Sequence, residues 1–241
     1  MSGKKVVVVM PAYNAARTLA RTVELLPRDS YDEIILVDDA SQDATLEIAR
    51  ELGDRYPISV HALERNRGYG GNQKECYRLA LAHDADVIVL LHPDLQYDPS
   101  LVPTLAAPVI AGEFPLMIGS RIRSLKDARA GGMPFYKYVS NRMLTKLENA
   151  VSGRNLSEWH TGMRAFAREA LEQVEYGKFS NGFLFDTQML FGIVAQGYAI
   201  GEMPVPVRYA ADSSSVSFMD SVLYGLGTVV ESAKHGISRL L

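Results

Sequence analysis

Short apolar runs and longer amphipathic segments follow one another along the first half of the chain. The apolar runs lie near 5–10, 33–38, 58–63, 86–92 and 115–119, and the amphipathic segments near 15–26, 42–53, 71–83 and 99–111. The runs predict buried strands and the longer segments predict helices. Because alternating strands and helices are typical of parallel crossovers, the pattern predicts an α/β fold with a mostly parallel central sheet flanked by helices.

Length and composition favour one large domain. The chain has 241 residues, of which 47% are hydrophobic, and it contains no linker rich in Pro, Gly or Ser. A chain of this size can bury a substantial core. We expect a single domain over 1–241, with a nucleotide-binding half over 1–121. The second half, 122–241, would hold the acceptor side and a C-terminal helix.

Charge and cysteine content exclude several classes of protein. The formal net charge of −3 gives no basic footprint for nucleic acid. The single cysteine, Cys76, allows no internal disulfide and favours a reducing cytoplasm. The N-terminus leads into an apolar strand and does not resemble a secretory signal. The longest uncharged run, 187–201, is too short to span a bilayer.

Polar residues follow three of the predicted strands. Asp94 and Gln96 come after the run at 87–91, Asp39 follows the run at 34–37, and a Pro-Ala-Tyr-Asn segment follows the first strand. The carboxyl ends of parallel strands meet at one edge of a sheet, so these groups are expected to converge.

Asp94 and Gln96 are candidate ligands of a divalent ion. In β geometry their side chains would point the same way, and both offer the hard oxygen atoms that Mg²⁺ or Mn²⁺ accepts alongside water and substrate phosphate. A strand followed by an ordinary polar turn is the alternative.

The order and spacing of six motifs resemble the inverting, family-two glycosyltransferases of the GT-A fold, especially the dolichol- or polyprenyl-phosphate sugar transferases. The resemblance covers most of the chain. The motifs are Pro11-Ala12-Tyr13-Asn14, Asp38 to Asp43, Arg67-Gly68-Tyr69-Gly70-Gly71-Asn72, His92 to Gln96, Gly119-Ser120-Arg121 and Gly162-Met163-Arg164.

The resemblance implies roles for the donor side of the site. Asp94 would be catalytic by holding Mg²⁺ or Mn²⁺ with Gln96, so that the ion neutralises charge on the leaving diphosphate. Asp39 would accept a hydrogen bond from the nucleobase. The other nucleotide-binding candidates are Pro11, Tyr13, Asn14, Gly70 and His92.

Two of these candidates carry a separate argument. Gly70 lies where a helix begins, and a glycine there would let the backbone approach an anionic donor. His92 stands where the family usually has an Asp. A neutral imidazole can contact ribose or ligate a transition metal but is a poor ligand for Mg²⁺, and a simple strand cap is the alternative.

The acceptor side is implied by a second group of residues. Arg121 and Arg164 match positions that face phosphate groups, which the planar guanidinium binds through two parallel bonds. Trp159 would stack on a sugar or else pack in the core. Asp186 lies in an apolar stretch, where a carboxylate is costly unless it is hydrogen-bonded or used in catalysis.

Three functions remain open at this point. The first is sugar transfer from a nucleoside-diphosphate sugar to a polyprenyl phosphate, which needs no base, at the cytoplasmic face of a membrane. The second is transfer to a sugar or protein hydroxyl with Asp186 as the general base. The third is a non-catalytic module that binds nucleotide sugars. A sugar nucleotidyltransferase is disfavoured, because it would carry a Gly-rich loop with Arg and Lys after the first strand.

Three segments late in the chain complete the expectations. The run Glu202 to Tyr209 predicts a proline-limited edge strand, and the Ser-rich segment 212–215 resembles a loop that closes near the donor diphosphate. The segment 123–132 predicts a mobile loop over the site or a solvated linker. The C-terminal helix from Ser221 is expected to pack on the domain or form a homo-oligomer rather than contact a membrane.

Overall fold

Seven strands form one sheet in the order β3-β2-β1-β4-β6-β5-β7. The computed structural model describes residues 3–122, 132–206 and 218–238. The strands are β1 Val6–Ala12, β2 Glu33–Asp38, β3 Ile58–Ala62, β4 Val87–Leu90, β5 Leu116–Ser120, β6 Arg164–Ala167 and β7 Ile200–Pro204. β6 runs antiparallel to β4 and β5, while the other pairs of described strands are parallel. The predicted α/β fold with a mostly parallel sheet is confirmed.

Helices flank this sheet and extend beyond it. They are α1 Leu19–Leu25, α2 Thr45–Gly53, α3 Tyr69–Ala82, α4 Val102–Ile110, α5 Phe135–Ser152, α6 Arg168–Glu172, α7 Phe185–Ala195 and α8 Phe218–Ser238, with short 3₁₀ turns at Pro99–Leu101 and Tyr176–Lys178. The long helices α5 and α8 pack against each other. None of the described helices is long and apolar enough to cross a membrane.

The sheet separates two apolar layers. Val8 and Met10 of β1 face a layer built with α1, α2 and α4. Val7 and Val9 face the opposite layer, which includes Tyr77 of α3 and the residues of α7. Every residue of β1 is buried, as expected for a central strand covered on both faces.

Most predicted elements of the first half are confirmed within a few residues. The fourth strand ends at Leu90 rather than at residue 92, and α1 starts only at Leu19 because 16–18 form a turn. β7 lies at the edge of the sheet beside β5, as predicted from its prolines, but it spans Ile200–Pro204 rather than the predicted run from Glu202 to Tyr209. The predicted loops at 123–132 and 212–215 lie outside the described residues, apart from Gly132.

Candidate active site

A cleft of about 1080 Å³ opens at the carboxyl edge of the parallel strands. Segments after β1, β2 and β4 line one part of it, as expected for an open α/β sheet. β6 runs antiparallel and pairs its first residue, Arg164, with Leu90 at the end of β4. The residues just before β6 therefore reach the same edge and line the cleft.

The segment after β1 forms one wall of the cleft. Pro11, Tyr13 and Asn14 all line it, and the Tyr13 ring is 48% exposed. Asn14 has a positive φ of 50°, and its side-chain oxygen accepts a 2.8 Å hydrogen bond from the amide of Gln42. Asn14 thus joins the loop after β1 to the loop after β2, and the predicted nucleotide side is brought together here.

Asp39 lines the same part of the cleft but is already engaged by the protein. Its carboxylate accepts hydrogen bonds from the amides of Arg67 at 2.7 Å and Gly68 at 3.0 Å. Burial raises the pKa of Asp39 above its ordinary value, although the two amides oppose that shift. Each carboxylate oxygen has two lone pairs, so capacity to accept an N–H from a nucleobase remains.

Gly70 does not serve the predicted purpose of bringing the backbone close to an anionic donor. A Cβ at this position would meet Phe185 Cβ and the Ser180 carbonyl oxygen, each at 2.6 Å. The Gly70 amide donates a 2.7 Å hydrogen bond to the carbonyl of Asn181. The first turn of α3 is thus occupied by the segment that leads into α7, and Gly70 is required for that packing.

Asp94 and Gln96 both line the cleft, but a turn brings them there rather than a strand. Leu95 between them has a φ of 55°, and the amide of Gln96 donates a 3.0 Å hydrogen bond to Asp94 Oδ1. The argument from β geometry was therefore wrong, because β4 ends at Leu90. The two side chains nevertheless line the same cleft, as predicted.

The donor set around Asp94 fits an ion held together with substrate. Among the residues described, no three His, Cys, Asp or Glu side chains are grouped to hold a metal ion. Mg²⁺ commonly takes one or two carboxylates and completes its shell with water and substrate phosphates. One carboxylate and one amide facing an open cleft are compatible with that mode.

His92 lies against Tyr69 inside the cleft. The two rings are stacked with centroids 5.3 Å apart, and His92 Nε2 is 3.2 Å from the Tyr69 hydroxyl. Burial lowers the pKa of His92, so the imidazole is neutral at pH 7. The structure thus places His92 in the cleft, and its contact with ribose or a metal stays a prediction.

Asp186 lies in the first turn of α7 and is held by three partners. The Tyr69 hydroxyl donates a 2.7 Å hydrogen bond to its Oδ2, and Gln73 Nε2 and Arg164 Nη1 each lie 3.4 Å from Oδ1. Burial and the nearby carboxylate raise the pKa of Tyr69 well above its ordinary value, so this hydroxyl stays protonated. Asp186 lines the cleft with only 8% of its surface exposed.

Arg164 does not reach the cleft surface, which corrects its predicted contact with an acceptor phosphate. The side chain is fully buried, donates to the carbonyl oxygens of Thr161 and Asp186, and pairs with the Asp186 carboxylate. The Asp186 carboxylate raises the pKa of Arg164 despite the opposing effect of burial. Arg164 is the buried counter-ion of Asp186.

Trp159 belongs to the core, which corrects its predicted contact with a sugar. The side chain is fully buried, and its ring packs against Phe191 with centroids 4.9 Å apart. The indole N–H donates a 2.8 Å hydrogen bond to Asn149 of α5. Of the two open alternatives, core packing is the one the structure supports.

Arg121 lines the cleft while being bound to a buried acid. Its backbone amide and Nε donate to Glu158 at 2.7 and 2.9 Å, and its Nη2 contacts both Glu158 and the carbonyl of His160. Burial opposes ionisation of Glu158, but Arg121 outweighs it and lowers the pKa of that carboxyl. The guanidinium is therefore fixed in place at the wall of the cleft.

Residues 7–175 match the protein-family model described as glycosyl transferase family 2. This chain belongs to that family. It is therefore a glycosyltransferase, an enzyme of the hexosyltransferase type, and the family match does not support a non-catalytic module. The predicted family resemblance is confirmed.

Two similar proteins are named as sugar transferases that use dolichyl or dolichol phosphate. The chain is 28% identical over 222 residues to the UDP-N-acetylglucosamine–dolichyl-phosphate N-acetylglucosaminyltransferase of Methanococcus voltae, covering 87% of this chain and 88% of the relative. It is 30% identical over 213 residues to the dolichol-phosphate mannosyltransferase of Pyrococcus furiosus, covering 80% of this chain and 58% of that protein.

Solved structures confirm the GT-A fold. Glucosyl-3-phosphoglycerate synthase from Mycobacterium tuberculosis, in complex with Mn²⁺, UDP and phosphoglyceric acid, superposes with a TM-score of 0.71 at 20% identity. The match covers 97% of this chain and 79% of that one. At this level of identity the likeness concerns the fold alone.

The far end of the glycosyltransferase's cleft, between α5 and α8, is mostly apolar. Its apolar lining consists of Met133, Tyr136, Met143, Leu144, Val222, Leu226 and Val229, and its polar lining includes Lys137, Ser140, Asn141 and Ser221. The cleft therefore runs from Asp94 and His92 at its polar end to a slot between two long helices.

Several residues that build this site were missed from the sequence. Tyr69 was read only as part of a glycine-rich motif, although its hydroxyl lies between His92 and Asp186. Asn72 donates to the carbonyl oxygens of Ala12 and Val37 and so ties the ends of β1 and β2 together. The sequence signal for Tyr69 and Asn72 was the repetition of polar side chains on the buried face of α3. No such signal pointed to Glu158, the buried acid that holds Arg121.

Proposed function

We propose that this enzyme transfers a sugar, with inversion, from a nucleoside-diphosphate sugar to a polyprenyl phosphate, using a divalent ion at Asp94 and Gln96. The observation that carries the proposal is the continuous cleft with one polar and one apolar end. A lipid phosphate has the same two-part chemistry, with an anionic head beside the reacting centre and an apolar tail.

The names of the relatives support the same donor and acceptor classes. The Methanococcus relative is named for UDP-N-acetylglucosamine and dolichyl phosphate, and the Pyrococcus relative for dolichol phosphate. The mycobacterial structures were solved with UDP and with Mn²⁺ or Mg²⁺. They support a nucleoside diphosphate and a divalent ion at the polar end.

The outer face of α8 supports action at a membrane surface. Outside the cleft lining its exposed residues are Leu223, Val230, Ala233, Lys234 and Ile237, of which only Lys234 is charged. The buried positions of α8, by contrast, include the hydroxyl residues Thr228 and Ser232. This distribution is the reverse of that expected for a helix in water, and suits a face that contacts lipid.

The chain's own groups prepare the transfer. Asp94 and Gln96 would hold a Mg²⁺ or Mn²⁺ ion, which supplies Lewis-acid stabilisation of the departing diphosphate. Asp39, with Pro11, Tyr13 and Asn14, would hold the nucleoside end. Arg121 is fixed by Glu158 at the cleft wall and adds positive charge near the phosphate groups.

The hydroxyl-acceptor alternative would require Asp186 to act as a base. Its Oδ2 accepts the Tyr69 hydroxyl and its Oδ1 pairs with Arg164. Taking up a proton at either oxygen would disturb one of these two contacts. A phosphate acceptor is already an anion and needs no base, so the geometry favours it.

A thermal-shift panel tests the donor half of the proposal. A ligand that binds only the folded state raises the melting temperature. We expect UDP or GDP to raise the melting temperature more with Mn²⁺ than without it, and to give transfer of label from the matching sugar nucleotide to a short polyprenyl phosphate. No nucleotide-dependent shift with either ion would contradict the proposal.

A further inference from the structure

A chain of polar contacts runs behind the apolar end of the cleft. Glu148 of α5 is fully buried, and its Oε2 lies 3.1 Å from Nε2 of His160. The other ring nitrogen of His160, Nδ1, lies 2.6 Å from the hydroxyl of Tyr224 in α8. That hydroxyl is also 3.0 Å from Oγ1 of Thr187 in α7. Tyr224 thus connects three elements that surround the cleft.

These contacts touch the residues that line the site. Thr187 directly follows Asp186 in α7. The backbone carbonyl of His160 accepts a hydrogen bond from the Arg121 guanidinium. The His160 and Tyr224 rings meet edge to face with centroids 5.4 Å apart, and both residues line the cleft.

The polar character of the seam between α5 and α8 is costly. Among the described residues, the buried hydroxyls of Thr228 and Ser232 have no hydrogen-bond partner, and the buried Glu148 carboxylate makes only its charge contact with His160 and no hydrogen bond. Apolar residues would hold two packed helices together at least as well. Polar contacts instead favour one rotation of α8 about its own axis, since the Tyr224 hydroxyl reaches both His160 and Thr187 in only one rotation.

We propose that Tyr224 is a positioning residue for acceptor binding. Through His160, Glu148 and Thr187 it holds α8 in the rotation that turns the apolar lining of that helix into the cleft. The inference rests on the proposed function, because it assigns the apolar end to the acceptor. The donor end, with Asp39 and Asp94, belongs to other elements.

Tyr224→Phe tests this role conservatively, because it keeps the ring and removes only the hydroxyl. We expect the KM for the acceptor to rise about tenfold, which corresponds to about 1.4 kcal/mol. The KM for the donor should stay within about twofold. Tyr198→Phe is the matched control, since Tyr198 lies outside the cleft lining.

A second variant separates positioning from a general loss of stability. His160→Gln keeps a polar group within reach of Glu148 but removes the nitrogen that contacts Tyr224. If the two residues act through their contact, the double variant Tyr224→Phe/His160→Gln should raise the acceptor KM about tenfold, not about a hundredfold. Thermal melts of each variant identify any that are partly unfolded.

The outcomes separate this inference from the proposed function. Wild-type transfer to a polyprenyl phosphate tests the function by itself, and the variant ratios are read with whichever acceptor the wild type uses. Three results would each overturn the positioning role. They are equal rises in the donor and acceptor KM, an unchanged acceptor KM, and a double variant whose rise in acceptor KM equals the product of the two single rises. Hydrogen exchange should also rise in α8 but not in α3 of Tyr224→Phe, and the opposite pattern would contradict the inference.

Discussion

The Tyr69 hydroxyl donates a 2.7 Å hydrogen bond to Asp186, and the same hydroxyl lies 3.2 Å from the His92 ring. This contact joins the beginning of α3 to the beginning of α7 across the cleft. Because Arg164 is buried on the other side of the carboxylate, Asp186 is first of all a structural acid.

Asp186→Asn should therefore destabilise the protein. It removes the partner of a buried guanidinium, and breaking such a pair costs about 3–5 kcal/mol. Adding Arg164→Met should restore part of the loss, because the unpaired charge is removed with it. Urea unfolding measures both variants, with the exposed residue change Asp29→Asn as control. Full stability of Asp186→Asn, with intact donor binding but no transfer, would instead make Asp186 the general base.

Gly70→Ala should also reduce stability. The added Cβ would lie 2.6 Å from Phe185 Cβ and from the Ser180 carbonyl oxygen, neither of which is the flexible end of a side chain. Overpacking of this kind costs about 1–3 kcal/mol. Gly177→Ala is the matched control, since a Cβ there meets nothing within 4 Å. A loss of nucleotide affinity at unchanged stability would return Gly70 to the donor site.

Asp94→Asn should uncouple metal binding from nucleotide binding. With only one carboxylate in the proposed metal-binding pair, the ion would depend on donor phosphates to complete its shell. Calorimetry should show that Mn²⁺ strengthens nucleoside-diphosphate binding to the wild type but not to Asp94→Asn, while metal-free affinity is retained. Transfer should fall on the order of 100-fold.

Asp98→Asn provides the control for that experiment. Asp98 follows in the next turn and accepts a hydrogen bond from the Ser100 amide. The Asp98→Asn variant should lose local stability without altering the effect of Mn²⁺ on nucleoside-diphosphate binding. Mn²⁺-dependent activity that survives in Asp94→Asn would refute the metal assignment.

The apolar face of α8 should mediate binding to vesicles. Leu223 and Val230 are 60% and 53% exposed and lie outside the cleft lining. Replacing both with Gln should weaken flotation with anionic vesicles about 100-fold, because roughly 1.5 kcal/mol of apolar burial is lost for each residue. Turnover of a water-soluble acceptor should be unchanged. Glu51→Gln in α2 is the surface control.

A homo-oligomer through this helix is the competing outcome. In that case the wild type would have the mass of a dimer by light scattering, and the Leu223→Gln/Val230→Gln variant would be monomeric. Vesicle binding by the wild type would then be weak and insensitive to the double change.

The sequence was sufficient to predict the strands and strand ends that depend on the pattern of neighbouring residues. β1 and β2 are continuous apolar runs, and Asp39 and Asp94 follow strands, so their convergence at one sheet edge followed from parallel topology. The family resemblance added the order of the motifs. The predictions were wrong for residues whose role depends on how deeply the side chain is buried. The sequence does not show whether such a side chain faces the cleft or the core.

Arg164 and Trp159 illustrate that limit. Both belong to segments that reach the cleft, but their side chains turn into the core to meet Asp186 and Asn149. Gly70 fails for a similar reason, since its close neighbour is a loop more than 100 residues away rather than a ligand. Contacts with other segments of the chain set all three roles.

The acceptor is the central claim, and one comparison tests it most directly. The enzyme is given a labelled nucleotide sugar and Mn²⁺ with either a short polyprenyl phosphate or the corresponding alcohol, which has the same tail and lacks the phosphate. We predict label in the phosphate lipid alone, and its loss when EDTA is added. Label in the alcohol or in a sugar acceptor, with none in the phosphate lipid, would contradict the account.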